Sequence, residues 1–197
     1  MSLQDIADEI GITEAALYHY ISSKDDLLNM VLSECCDTPD ADEYNAVTAA
    51  VTDNDGHRVY FYPRYCLNIA LYNLQRPELV QLYSVLNGEA LSPTHPAHNF
   101  FIGRHMRNWE MICSMNWILP TGVDEERFYD LYTLAMSAMD GLQYRWLGDD
   151  SMNLLEEWMS ISDIIFPPSE WAGFTDPSEY DPAPDRCLLP FTLSARQ

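Results

Sequence analysis

At 197 residues, with 47% apolar and 12% aromatic content, the chain can bury a sizeable core and lies outside the composition of disordered segments. Its formal charge of −21, from 31 carboxylates against ten cations, is the reverse of the balance with which proteins usually neutralise nucleic-acid phosphates. No run approaches the roughly 18 apolar residues of a membrane span, no signal-peptide order opens the chain, and five cysteines without CxxC spacing fit reduced thiols, so the expected location is cytoplasmic.

Ser2 is placed to cap a short helix with Leu3, Ile6, Ala7 and Ile10 at helical spacing, closed by Gly11. Thr13 is the next capping candidate, for a run from Glu14 to Ile21 with Leu17, Tyr18 and Ile21 on one face. A third helix is expected from Lys24 to Glu34, with Asp25 and Asp26 at its positive end. Residues 37–57 read as a junction, although Tyr44–Val51 fits a modest helix. Val59–Leu74 is aromatic and apolar around Pro63, and a helix from Glu78 to Leu86 follows Arg76-Pro77. Past the turn at Ser92–Pro96, long helical patterns are expected over 97–119, 124–147 and 151–165. The prolines beyond Pro167 predict an irregular tail over 167–197. No sustained alternation argues for a sheet, so the expected class is all-α, with a helix-turn-helix domain over 1–36 and a helical body over 37–166.

The string Ile6-Ala7-x-x-Ile10-Gly11-Ile12-Thr13-x-x-Ala16-Leu17-Tyr18-x-Tyr20-Ile21-x-Ser23-Lys24-x-x-Leu27-Leu28 resembles the DNA-reading helices of the TetR/AcrR family of bacterial regulators. It departs at Ile21, where the family usually has phenylalanine, and at Glu14, where a basic or neutral residue is usual. The resemblance implies that Thr13, Tyr18, Tyr20 and Lys24 meet phosphates and set register on the duplex. It also implies that Gln4, Glu14, Ala15, Ala16 and His19 face the major groove. Lys24 is the sole cation among residues 1–34, against seven carboxylates. Family members carry a further helix ahead of the position matching Ser2. Its absence would expose Ile6, Ile10, Leu17 and Leu28, and an upstream start is expected.

The remainder is similar to the family's sensing region through Arg76-Pro77-Glu78-Leu79, Glu89-Ala90, His95-Pro96, Met139–Gln143 and Trp146-Leu147. That implies a ligand-responsive repressor of operator DNA, paired as a homodimer through residues 124–165. The residues agree: Leu131, Leu134, Ala135, Ala138, Met139 and Leu142 form one stripe, and Leu154, Leu155, Trp158, Met159 and Ile161 another. A pocket for an apolar or aromatic effector is expected among Tyr62, Tyr65, Ile69, Phe101, His105, Met106, Trp109 and Cys113. His95, His98 and His105 lack metal-ligand spacing, so no metal or other cofactor is expected. No nucleophile elbow, phosphate loop or zinc helix argues for an enzyme. The competing reading is a helical dimer that binds small molecules and has lost DNA binding, in line with the acidity of residues 1–34.

Overall fold

The computed structural model describes residues 2–33, 49–179 and the strand 188–189. Most of the helix anticipated over Tyr44–Val51 lies outside the described residues; Val51 itself is in a strand.

Three short helices open the chain: α1 (Leu3–Glu9), α2 (Glu14–Leu17) and α3 (Lys24–Val31). Each starts on a side-chain oxygen that takes up an otherwise unpaired amide. Ser2 Oγ accepts from Asp5 N while the Asp5 carboxylate accepts from Ser2 N, a reciprocal box. Thr13 Oγ1 accepts from Ala16 N at 3.1 Å, and Ser23 Oγ from Asp26 N at 3.0 Å. Gly11 turns the chain out of α1 at φ 75°, a conformation that a Cβ disfavours. Leu3, Ala7, Leu17 and Ile21 close a small core, backed by Ile6 and Leu27. Of the four residues expected to be exposed, Ile10 is, Ile6 and Leu28 are half-buried, and Leu17 is buried.

The body is helical around a small sheet. Strands β1 (Ala50–Thr52) and β2 (Arg58–Phe61) form an antiparallel hairpin pairing Val51 with Val59, turned at Asp53–His57 with Gly56 at φ 86°. Helix α4 (Tyr62–Leu74) follows directly, with Pro63 in its first turn, where no amide is needed. Helix α5 (Pro77–Glu89) is started by Pro77 in the same way. The single helix expected over 97–119 is instead α6 (His98–Ile102), α7 (Arg104–Cys113) and strand β3 (Trp117–Ile118). Gly103 interrupts the helix, and Trp117 and Ile118 pair in parallel with Tyr60 and Phe61. Strand β4 (Leu188–Leu189) completes the order β1-β2-β3-β4.

Helices α8 (Glu125–Gly148) and α9 (Leu154–Ile165) are capped by Asp124 and Asn153, and α9 packs against both α8 and α4. The main core joins Tyr62, Cys66, Trp109, Trp117, Phe128, Tyr132, Met139 and Trp158. Past Pro167 the chain is not yet irregular: α10 (Pro168–Trp171) places a fully buried Trp171 edge-on to Phe166, with ring centres 4.9 Å apart. A second cluster ties the N-terminal unit to the body. Fully buried Leu32, just past α3, packs with Leu86, Ala90 and Ala97, and Leu28, Phe100 and Phe101 lie against them.

Candidate DNA-reading surface and ligand cavity

The turn at Gly11 sets α2 across α1, and the residues after it stand in solvent. Tyr18 is 52% and Tyr20 77% exposed, and Ala15, His19 and Lys24 are exposed as well. Glu14 and Ala16 are half-buried. Lys24 opens α3, so its ammonium stands where that helix already presents amide donors to an anion. Gln4 donates to the Asp8 carboxylate at 2.6 Å, one turn along α1. Thr13 is engaged as a cap through its oxygen, which leaves its hydroxyl proton for a phosphate. Asp26 is a fastener: its carboxylate accepts from both Ser22 N and Ser22 Oγ, which fixes the loop before Lys24.

Behind this unit a cavity of about 300 Å³ opens between five helices of the body. Tyr65, Ile69, Tyr72 and Asn73 come from α4, and Leu79, Val80, Tyr83 and Asn87 from α5. Phe101 ends α6 near it, α7 gives Arg104, His105, Asn108, Met111 and Ile112, and α8 gives Tyr132, Met136, Met139, Asp140 and Gln143. A second lobe of about 180 Å³ shares Tyr83, Asn87, Asp140 and Gln143 and reaches Tyr144. Apolar and aromatic walls with a few polar groups are the usual make-up of a small-molecule site.

Its polar groups are specifically placed. Arg104 donates to the Tyr83 phenol oxygen at 3.0 Å, and Tyr132 donates to the His105 carbonyl at 3.0 Å. Asp140 keeps exposed surface, yet the protein packed around its carboxyl withholds enough water to push it above its usual range, against the pull of the Arg104 guanidinium. Burial, helped by Arg104, holds the His105 imidazole below its ordinary value, so the ring is neutral at neutral pH. Gln143 is 4% exposed and its Nε2 has no hydrogen-bond partner.

Of the expected pocket residues, Tyr65, Ile69, Phe101 and His105 line the cavity, and the other four do not. Tyr62 is fully buried in the aromatic core, edge-on to Trp117 and Phe128. Trp109 packs edge-on to Phe128 and Tyr129 and tilted against Tyr132. Cys113 is a buried core thiol whose ionisation burial raises to about 11, and Met106 lies on the exposed side of α7. Sequence reasoning missed Arg104, Asp140 and Gln143. The signal was available: Met136, Met139, Asp140 and Gln143 recur at helical spacing, so they share one face of α8.

The three histidines do not gather. His95 Nε2 is 3.4 Å from Glu89, His98 Nδ1 is 2.7 Å from the Ala90 carbonyl, and His105 is in the cavity. Asp53, Asp55 and His57 do bring possible ligand atoms together, but there the Asp53 carboxylate holds the hairpin turn by accepting from Asp55 N and His57 N.

A capped helix-turn-helix with exposed hydroxyls and one ammonium, joined through an apolar cluster to a cavity-bearing helical body, defines a one-chain DNA-binding regulator. Residues 1–31 match the family model described as bacterial regulatory proteins, tetR family, which supports a DNA-binding transcriptional regulator of that kind. No curated protein and no solved structure matches it. Among the described residues no helix is long and apolar enough to cross a membrane.

Proposed function

We propose that the chain is a ligand-responsive repressor: a homodimer joined through residues 124–165, binding operator DNA until an apolar or aromatic effector enters the cavity. The observation that carries this reading is the position of Phe101. It lines the cavity and also packs into the cluster that seats Leu32 at the end of α3. A molecule that displaces Phe101 therefore bears on the helix that carries Lys24. Gln4, Thr13, Glu14, Ala15, Ala16, Tyr18, His19, Tyr20 and Lys24 form the DNA surface in this reading, with phosphate contacts setting register and groove contacts specifying bases. Pairing is supported by the apolar side chains that α8 and α9 leave in solvent, Leu134, Tyr144, Met159 and Ile164.

The test is fluorescence anisotropy with DNA from the chain's own promoter region over a range of salt. Binding that strengthens as salt falls and is reversed by an effector supports repression. Effector binding with no DNA binding even at low salt would favour a small-molecule-binding dimer, in keeping with the seven carboxylates of residues 1–34.

A further inference from the structure

The cavity holds an unmade hydrogen bond. Gln143 is 4% exposed and lines both lobes, and its Nε2 is enclosed without a partner. A glutamine amide has two N–H donors, and an interior donor left unpaired costs free energy, so folded chains keep few of them. The charges of the lining oppose one another. Arg104 and Asp140 carry opposite signs and interact, and His105 is neutral at neutral pH. Tyr132 also stays a neutral phenol, since burial raises it well above its ordinary value. The walls beside Gln143 are rings and thioethers: Tyr65, Tyr83, Tyr132, Met136 and Met139.

Resting on the reading of this cavity as the effector site, we infer that it selects a small, uncharged aromatic molecule bearing a carbonyl or equivalent acceptor, which receives its hydrogen bond from Gln143 Nε2. An anion would have to draw Arg104 from Tyr83 and Asp140, and a cation would have to draw Asp140 from Arg104. The first strips the Asp140 carboxylate of its cation, and the second leaves the half-buried Arg104 guanidinium uncompensated. A plain hydrocarbon fits the walls but leaves the amide unpaired, and a site built around a polar group discriminates against ligands that lack the matching one. The methionines adapt to ring shape, so the walls set class and the amide sets chemistry.

The test uses one ring with five substituents: naphthamide, naphthyl methyl ketone, isopropylnaphthalene, naphthoate and naphthylmethylamine, each titrated calorimetrically into the full chain. The amide and ketone are expected to bind about three- to tenfold more tightly than isopropylnaphthalene, the worth of one neutral hydrogen bond, and more tightly than either ion. Gln143→Leu should erase the gap between ketone and hydrocarbon while raising the melting temperature of the unliganded protein, because an unpaired donor has gone. Gln143→Met is the second variant, close in length, and should behave alike. Tightest binding by naphthoate or the amine overturns the inference, as does a ketone preference that survives both variants. A hydrocarbon that binds as well as the ketone leaves the cavity an effector site and overturns the role of Gln143. If no member binds, the effector-site reading fails and the inference falls with it.

Discussion

Arg104 donates a 3.0 Å hydrogen bond to the Tyr83 phenol while its guanidinium carbon sits 4.9 Å from the centre of the same ring, so one side chain fastens α7 to α5 beside the cavity. Tyr83→Phe keeps the ring and removes the acceptor, and should cost about 0.5–1.5 kcal/mol in urea unfolding. Arg104→Met removes both contacts and also the cation facing Asp140, so it should cost more. Equal losses for the two variants would show that the ring contact and the charge add nothing.

Asp140 carries the pH consequence of the same pair. Burial raises its carboxyl in the folded protein, so between the unfolded value of 3.8 and the raised folded one the native state holds a proton that the unfolded chain has lost. Its contribution to stability therefore falls as pH rises through the folded value. Asp140→Asn should be more stable than the parent at neutral pH, with the difference closing as pH falls toward the ordinary carboxylate range. Unfolding midpoints at several pH values measure this, and a difference that stays constant with pH would remove Asp140 as its source.

The reader was legible because its instructions are local. Ser2, Gly11 and Thr13 each fix a helix end within four residues, and all three take those roles in the structure. Helices α8 and α9 were legible because their apolar stripes run long enough for periodicity to show. The sheet was not legible. Strands of two to four residues are too short to alternate, and Trp117 pairs with Tyr60 across 57 positions of chain that carry no local sign of the pairing. Prolines near 167 read as helix breakers, yet Pro168 starts a turn of helix that buries Trp171. Half of the expected cavity residues were misplaced for a related reason: aromatic side chains on α4 and α7 serve core and cavity alike, and only the third dimension separates Tyr62 from Tyr65.

Lys24 is the only cation of the reader, so its removal should be read in the salt dependence as well as the affinity. Lys24→Ala is expected to weaken binding to all DNA sequences alike and to reduce the slope of log affinity against log salt by about 0.9, the share of one phosphate. Anisotropy titrations at four or more salt concentrations give that slope. An unchanged slope would place Lys24 away from the backbone.

The link between cavity and reader should be separable from either end. Leu32 is fully buried against Leu86, Ala90 and Ala97, so Leu32→Ala should destabilise the protein by about 2–5 kcal/mol. Phe101→Leu is the milder change, since it keeps an apolar side chain at the point where cavity and cluster meet. In that variant an effector should still bind while its effect on DNA affinity shrinks. Unchanged coupling, measured as the ratio of DNA affinities with and without effector, would show that the signal does not pass through Phe101.

Pairing through α8 and α9 makes the sharpest demand on the exposed residues. Ile164 is 77% exposed, Leu134 53% and Met159 48%, apolar area that a lone subunit leaves in water. In a two-fold interface the same patch meets itself, so a charge placed there is opposed by its own copy and doubly costly. Ile164→Lys should therefore halve the mass seen by analytical ultracentrifugation, while unfolding free energy per subunit, measured where the parent is also monomeric, shifts by no more than about 0.5 kcal/mol. The same variant should weaken DNA binding with Lys24 untouched, because two readers on one duplex bind with the benefit of linkage and one does not. A dimer that survives Ile164→Lys and Leu134→Glu together would move the pairing surface off these helices, and the spacing of the two readers would then have to be set by another face of the body.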